Sequence, residues 1–281
     1  MYTRLPVFYL LMLTLLTLVA FAGNSLLCRQ ALLHTRIDAA SFTTIRLASG
    51  AAMLWLIAGS RTGAPSGQGS WGSAFALFAY AAAFSFAYLN LTVATGALLL
   101  FGAVQGTMIG YGIWKGERPR FIQLAGILLA FLGLVGLLLP GLSAPPPGAS
   151  ALMLAAGVAW GVYTLHGKNA GDPVCVTAGN FLRAAPLAFA LSVLTLSGAE
   201  LDQAGVWYAL ASGALASGIG YVIWYTVLPH LKTSTAATLQ LSVPVIAALG
   251  GILFLGEPVT LRLILASTTI LGGIALVVLT R

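Results

Sequence analysis

Apolar residues run along this chain in long unbroken blocks, without the alternation of a half-buried strand or the one-sided stripe of a soluble helix. Ten blocks emerge: 7–28, 40–59, 71–91, 94–114, 121–139, 150–168, 176–197, 206–228, 233–254 and 260–280. At 1.5 Å rise per residue, about 20 residues cross the ~30 Å hydrocarbon core of a bilayer. The breaks between blocks carry their own chemistry. Arg29 to Asp38 is polar, and Arg61 to Ser70 is rich in Gly, Pro and Ser. Lys115-Gly-Glu-Arg-Pro-Arg120 is the densest charge run, and Gly141 to Gly148 contains Pro145-Pro146-Pro147, which cannot continue a helix. Asp172-Pro173, Glu200 to Gln203, Pro229 to Lys232 and Gly256-Glu257-Pro258 close the rest. The pattern predicts an all-α polytopic membrane protein with ten transmembrane helices. Arg4 precedes the first block, and no small-residue cleavage site follows it, so a retained first span is expected.

Composition agrees: 59% of the 281 residues are hydrophobic and only 7% are charged. A soluble domain carries about 25% charged residues. Loops this short leave no room for a separate soluble domain. The net charge of +7 does not point to nucleic acid, because the basic residues lie between apolar blocks and so read as topology signals. With the N-terminus inside, Arg4, Arg61, Lys115, Arg118, Arg120, Lys168, Lys232 and Arg281 are cytoplasmic, while Arg29, Arg36 and Arg262 are outside. That distribution predicts cytoplasmic termini. Cys28 and Cys175 have no metal or redox spacing and are expected to be buried small residues.

The chain also repeats itself. Thr95 and Thr235 are 140 positions apart, as are Glu117 and Glu257; Arg46 and Arg183, like Tyr88 and Tyr225, are 137 apart. Two units follow, 1–140 and 149–281, each of five spans. Five is odd, so the second unit enters the membrane from the opposite side. Inverted repeats of this kind place a substrate near mid-depth between the halves and alternate access by rocking.

The paired Gly-Glu turns after the fourth and ninth spans, the Arg46 and Arg183 elements and Pro244 resemble the drug/metabolite transporter superfamily in its ten-helix, two-EamA-domain form. Within it the chain looks most like the aromatic amino-acid exporter (YddG-type) branch, on overall texture and a Trp/Tyr-rich sixth span. The resemblance covers essentially the whole chain. It implies a bacterial inner-membrane exporter of amino acids or related metabolites. One departure is visible: Val104 stands in the fourth span where the ninth has Pro244.

Candidate substrate contacts are the polar and aromatic residues at mid-depth: Gln105, Gln240, Trp160, Tyr163, Tyr80, Phe84 and Tyr221, with Asn24 about a turn from the outer end of the first span. An amide in hydrocarbon needs partners, so each Gln faces protein or water, either as helix–helix glue or as a substrate anchor. The aromatics either pack in the core or against lipid, or supply an apolar, stackable wall. Arg46 and Arg183 either snorkel and cap carbonyls, or act as gate residues or carboxylate anchors. Pro244 frees a carbonyl near Gln240. Gly102, Gly106 and Gly110 form two GxxxG steps, read as a helix-packing face. His166 reads as an interfacial side chain.

No HExxH, Gly-x-Ser-x-Gly or Walker sequence is present, and the six carboxylates all fall at span ends or in loops. The expectation is a monomeric carrier, not an enzyme, with an amino acid as small-molecule substrate, the bilayer as partner and no cofactor or metal. Exporters of other metabolites or of cationic drugs remain as alternatives, as does a membrane assembly subunit that transports nothing.

Overall fold

The computed structural model describes residues 6–60, 68–116, 118–141, 144–167, 172–227, 230 and 239–279. Glu117, Thr235, all of the Pro229 to Lys232 break but His230, and positions 233–238 of the ninth block lie outside the described residues. The fold is an all-helical polytopic membrane protein, with no strand among the described residues. In chain order the helices are α1 (Val7–His34), α2 (Ala39–Gly59), α3 (Trp71–Tyr88), α4 (Val93–Trp114), α5 (Phe121–Leu138), α6 (Pro147–Gly167), α7 (Pro173–Leu194), α8 (Gln203–Val227), α9 (Ser242–Leu255) and α10 (Leu261–Leu279). Among the described residues, nine are long and apolar enough to cross a membrane, and α9 is a shorter apolar helix.

The starts are set by side-chain caps. Asp38 accepts from the amides of Ala40 and Ser41, Asp172 from Val174 and Cys175, and Asp202 from Gly205. Ser70 and Thr92 do the same for Ser73 and Thr95. Pro147 and Pro173 occupy first-turn positions, where their missing N–H costs nothing. The Pro145–Pro147 run therefore starts α6 earlier than the predicted residue 150. α1 runs on to His34, beyond the predicted end at 28. Arg29 sits inside the helix because its charge is satisfied: Nη1 donates to the carbonyls of Tyr88 and Leu89 at 2.8 and 3.0 Å, and Nε meets Glu257 at 3.4 Å.

Glu257 belongs to a turn that the sequence marks. Gly256 adopts φ +63°, which ends α9 in the left-handed region, and the Glu257 amide returns to the Gly251 carbonyl at 3.1 Å. The Glu257 carboxylate then accepts from the first amide of α4, Val93 N–H, at 2.8 Å. One turn thereby ties α9 and α10 to α1, α3 and α4.

The connections sort onto two faces. Asp38, before α2, and Glu200, before α8, bond each other's amides directly or through the Asp38 carboxylate, at 3.1 Å in both cases. The α3–α4 turn meets Glu257 of the α9–α10 turn, and Arg262 of α10 donates to the Leu139 carbonyl at the end of α5. The five connections that follow odd-numbered helices thus share one face. On the other, the residues leading into α3 dock on α7: Ser70 N–H donates to Asn180, and Arg183 donates to the Gln68 carbonyl, both at 2.9 Å.

Helix pairs close on small residues. α5 lies against α10 so tightly that a Cβ on Gly126 would stand 2.6 Å from the Gly273 carbonyl, and one on Gly273 would meet Gly126 and Ala130 backbone at 2.5 Å. α2 packs on α7 and on α8, α3 and α4 pack on α6, and α8 and α9 pack on α1.

Candidate functional site

At mid-depth, five helices converge on a small cavity lined by Phe21, Asn24 and Ser25 of α1, Tyr80 and Phe84 of α3, Leu100 and Phe101 of α4, Trp160 of α6, and Ala216, Ser217 and Tyr221 of α8. Trp160 forms its hub, with ring centroids 4.9 Å from Tyr80, 5.1 Å from Tyr221, 5.5 Å from Tyr163 and 6.5 Å from Phe21. Offset and edge contacts of this kind suit flat apolar side chains. The cavity holds about 20 Å³, room for roughly one water, so these helices must part before anything of amino-acid size enters.

Behind the aromatic wall stands Arg46, in the middle of α2 and 1% exposed. Its Nη2 donates to the Tyr80 hydroxyl at 3.1 Å and its Nε to Ser217 Oγ at 3.4 Å. The guanidinium carbon lies 5.2 and 5.1 Å from the ring centroids of Tyr80 and Phe84. Asn24 Nδ2 also donates to the Tyr80 hydroxyl, at 3.3 Å, and Ser212 donates to Asn24 Oδ1 at 2.7 Å. A polar chain thus runs Ser212–Asn24–Tyr80–Arg46–Ser217 through the aromatic cluster. It contains a cation but no carboxylate. Glu257 pairs with Arg29 and not with this chain, and Arg46 Nη1 is buried with no partner. A buried ion without a counter-charge costs several kcal/mol. Ring faces return about 0.5–2 kcal/mol, so Arg46 is left with an unmet demand for an anion.

The backbone explains how two serines reach this chain. Ala211–Ile219 of α8 is π-helical, with i→i+5 bonding in place of i→i+4. The sequence there reads Ala-Ser-Gly twice, Ala211–Gly213 and Ala216–Gly218, five positions apart. That spacing matches the wider turn and sets Ser212 and Ser217 on one face. Gly213 lets the segment touch α2: a Cβ there would lie 2.1 Å from the Arg46 carbonyl. Sequence periodicity at 3.6 passes over this signal. It also passes over Phe21 and Phe101, which look like ordinary span residues.

Of the residues singled out from sequence, Asn24, Tyr80, Phe84, Trp160, Tyr221 and Arg46 come together here. Asn24 lies deep in α1 and not a turn from its end, because the helix extends to His34. Tyr163 stacks behind Trp160, with its hydroxyl turned to Asn180 and Thr177. Arg183 does not reach the cavity; its Nη1 donates to the Gln68 and Gly179 carbonyls at 2.9 Å, the carbonyl-capping alternative. Gln240 is half-buried just before α9 and lines neither this cavity nor the groove described below. Pro244 sits in the first turn of α9, and the helix is interrupted at Leu241, as expected when its ring displaces the carbonyl four residues back. Ser242 donates to the Leu239 carbonyl at that break. Gln105 is not in the cavity either. It lies on another face of α4, toward α5 and α10.

Residues 148–279 match the EamA-like transporter family. A Pseudomonas aeruginosa protein described as uncharacterised is 57% identical over 274 residues, 96% of this chain and 95% of its own length. The threonine/homoserine exporter RhtA of Escherichia coli is 30% identical over 170 residues, covering 59% of this chain and 57% of RhtA. A solved crystal structure shares the fold at TM-score 0.69 and 19% identity, over 97% of this chain and 98% of its own.

Proposed function

Residues 148–279 match the EamA-like transporter family, and on that likeness we propose that the chain is a transporter that exports amino acids with large apolar or aromatic side chains across the bacterial inner membrane. The observation that carries this reading is Arg46, a buried guanidinium with one nitrogen unpartnered, set behind the cavity wall among aromatic faces, an amide and hydroxyls. A substrate carboxylate is the natural partner of that nitrogen. The ammonium takes the Asn24 and serine oxygens or the face of Trp160, and the apolar side chain takes the ring walls. The described carboxylates all stand at helix starts or in connections, so a cationic drug finds no counter-charge here, and neither substrate-coupled proton exchange nor catalysis has an acid at mid-depth. Likeness to a threonine/homoserine exporter supports the substrate class, and the Trp160 wall supports the aromatic branch of it.

Alternating access follows from two inverted five-helix units, 1–140 and 149–281. Reciprocal packing supports them: α3 and α4 lean on α6 as α8 and α9 lean on α1, while α2 meets α7 and α5 meets α10. The sharing of one face by all odd connections supports opposite insertion of the two halves. The basic residues set that face outside and the termini in the cytoplasm. The chain acts as a monomer, without a cofactor. Counterflow in proteoliposomes against an amino-acid panel tests this reading. Exchange of phenylalanine-sized substrates is expected, and no exchange of any amino acid by well-folded protein overturns it.

A further inference from the structure

A second cavity lies outside the site described above. It is a groove of about 250 Å³ between α4, α5 and α10, open toward the bilayer. Gly102, Gly106 and Gly110 form its floor, Ile127, Phe131 and Leu134 one wall, and Ile270, Ile274 and Val277 the other. The glycine face was expected to bring a neighbouring backbone close. It does not: a Cβ on Gly106 or Gly110 would meet nothing within 4 Å, and one on Gly102 only Ile270 at 3.8 Å. Elsewhere in the same region glycines are used for contact, as Gly126 and Gly273 show. Protein interiors are close-packed, and glycine in mid-helix costs stability relative to alanine. Three bare glycines over an unfilled groove therefore make sense as space kept for something.

The groove also holds one polar group. Gln105 is 3% exposed and lines it, and its Nε2 has no hydrogen-bond partner. A buried donor left unpaired is costly, so an occupant that brings an acceptor gains by drawing the Gln105 amide round toward the groove. Gln105 stands about 18 Å from the start of α4 and about 14 Å from its end at 1.5 Å per residue. A phospholipid chain carries no acceptor at that depth, since its ester oxygens sit at the edge of the ~30 Å core. A second copy would seat side chains in the groove rather than a whole helix, and the cross-linking outcome below tests it. Even at roughly 30 Å³ per methylene-sized group, it takes at least about eight of them.

We propose that the α4–α5–α10 groove is a second binding site, entered from the bilayer, for a small and largely apolar molecule whose single hydrogen-bond acceptor meets Gln105. The site is independent of Arg46 and of the amino-acid reading.

The probe is a diazirine-bearing octanol, applied to the whole protein in nanodiscs and mapped by peptide mass spectrometry. Saturable labelling of α5 and α10 around Ile127, Phe131, Ile270 and Ile274 is expected, and unlabelled octanol should compete it away. Gly106→Leu, which fills the floor, should abolish that labelling; Gly110→Leu provides a second filling variant if the first folds poorly. Gln105→Leu should raise the half-saturating concentration about fivefold, the worth of a typical net hydrogen bond, while leaving a diazirine-bearing alkane unaffected. Arg46→Met should leave labelling unchanged. Labelling that rises linearly over all lipid-facing helices and ignores the filling variants means that bilayer lipid fills the groove, and overturns the proposal. Cross-links between two copies through the α4 glycine face overturn it as well.

Discussion

Arg46→Met removes the one buried cation of the central site while keeping a flexible apolar chain of similar reach. In the wild type the guanidinium donates to Tyr80 and Ser217 and lies over two rings, and Nη1 is buried without a partner. A carboxylate on Nη1 gains a charge-assisted hydrogen bond worth about 1.5–3 kcal/mol, or roughly 10- to 150-fold in affinity. That factor should disappear in Arg46→Met for substrates with a free carboxylate. It should be absent from the start for their amides, which present no anion. Arg46→Lys keeps the charge but loses the planar fork, and should fall between. Stability should move the other way, since removing an uncompensated buried ion often costs nothing or stabilises. Trp160 lies in the cavity wall, so its fluorescence in detergent or nanodiscs reports titrations of phenylalanine against phenylalaninamide. If Arg46→Met still prefers the acid over the amide by the wild-type ratio, the carboxylate is held elsewhere and the reasoning fails.

Trp160→Ala should weaken binding of the largest apolar substrates by about tenfold, the scale of an aromatic contact of about 1.5 kcal/mol, with partial rescue in Trp160→Phe; equal loss for small and large substrates speaks for a purely structural role. Burial raises the Glu257 carboxyl above its ordinary 4.5 despite the opposing pull of the Val93 amide and Arg29, so the folded chain holds this proton more tightly than the unfolded one. The stability due to this group is then full below 4.5 and is lost as pH rises through the raised value; thermal midpoints should carry that falling component, and Glu257→Gln should remove it. Gly126→Val should cost about 1–3 kcal/mol of stability by forcing α5 off α10, whereas Gly136→Ala, with nothing within 4 Å, should be neutral or better, as thermal unfolding in one detergent would show. Reporter fusions after residues 118 and 145 should read cytoplasmic and periplasmic; the same side for both breaks the inverted arrangement.

The spans were legible because hydrocarbon thickness imposes a length that no other solvent does, and nine of the ten appear within a few residues. Arg29 and Pro147 misled for one reason: each looks like a boundary until its partner or its turn is known. Arg29 is tolerated in α1 only because α3 and the α9–α10 turn come to it across the fold. Depth was equally readable, and Asn24, Tyr80, Phe84, Trp160, Tyr221 and Arg46, chosen by depth, come together around one cavity. Direction about the helix axis was not. Gln105 sits at the expected depth but points to α5 and α10, and only the neighbours of α4 decide that. Ser212 and Ser217 escaped because a π-helical stretch breaks the period on which the reading relied.

The turn at Glu257 makes the two faces unequal. Arg29, Glu257, the Val93 amide and the Tyr88 and Leu89 carbonyls form one connected set on the face shared by the odd connections. Parting the helices there breaks that set together. If this set outweighs the Ser70–Asn180 and Arg183–Gln68 contacts of the other face by about 4 kcal/mol, the worth of roughly two charge-assisted bonds, the conformer open on that face would be about one molecule in a thousand without ligand. A solute arriving from that side meets an apparent affinity reduced by the same factor, while one arriving from the other face does not. Thermodynamics forbids such a carrier from pumping without an energy source. It does permit strong saturation from one side and weak saturation from the other, which, in the proposed orientation, suits a valve that relieves an internal excess and admits little in return.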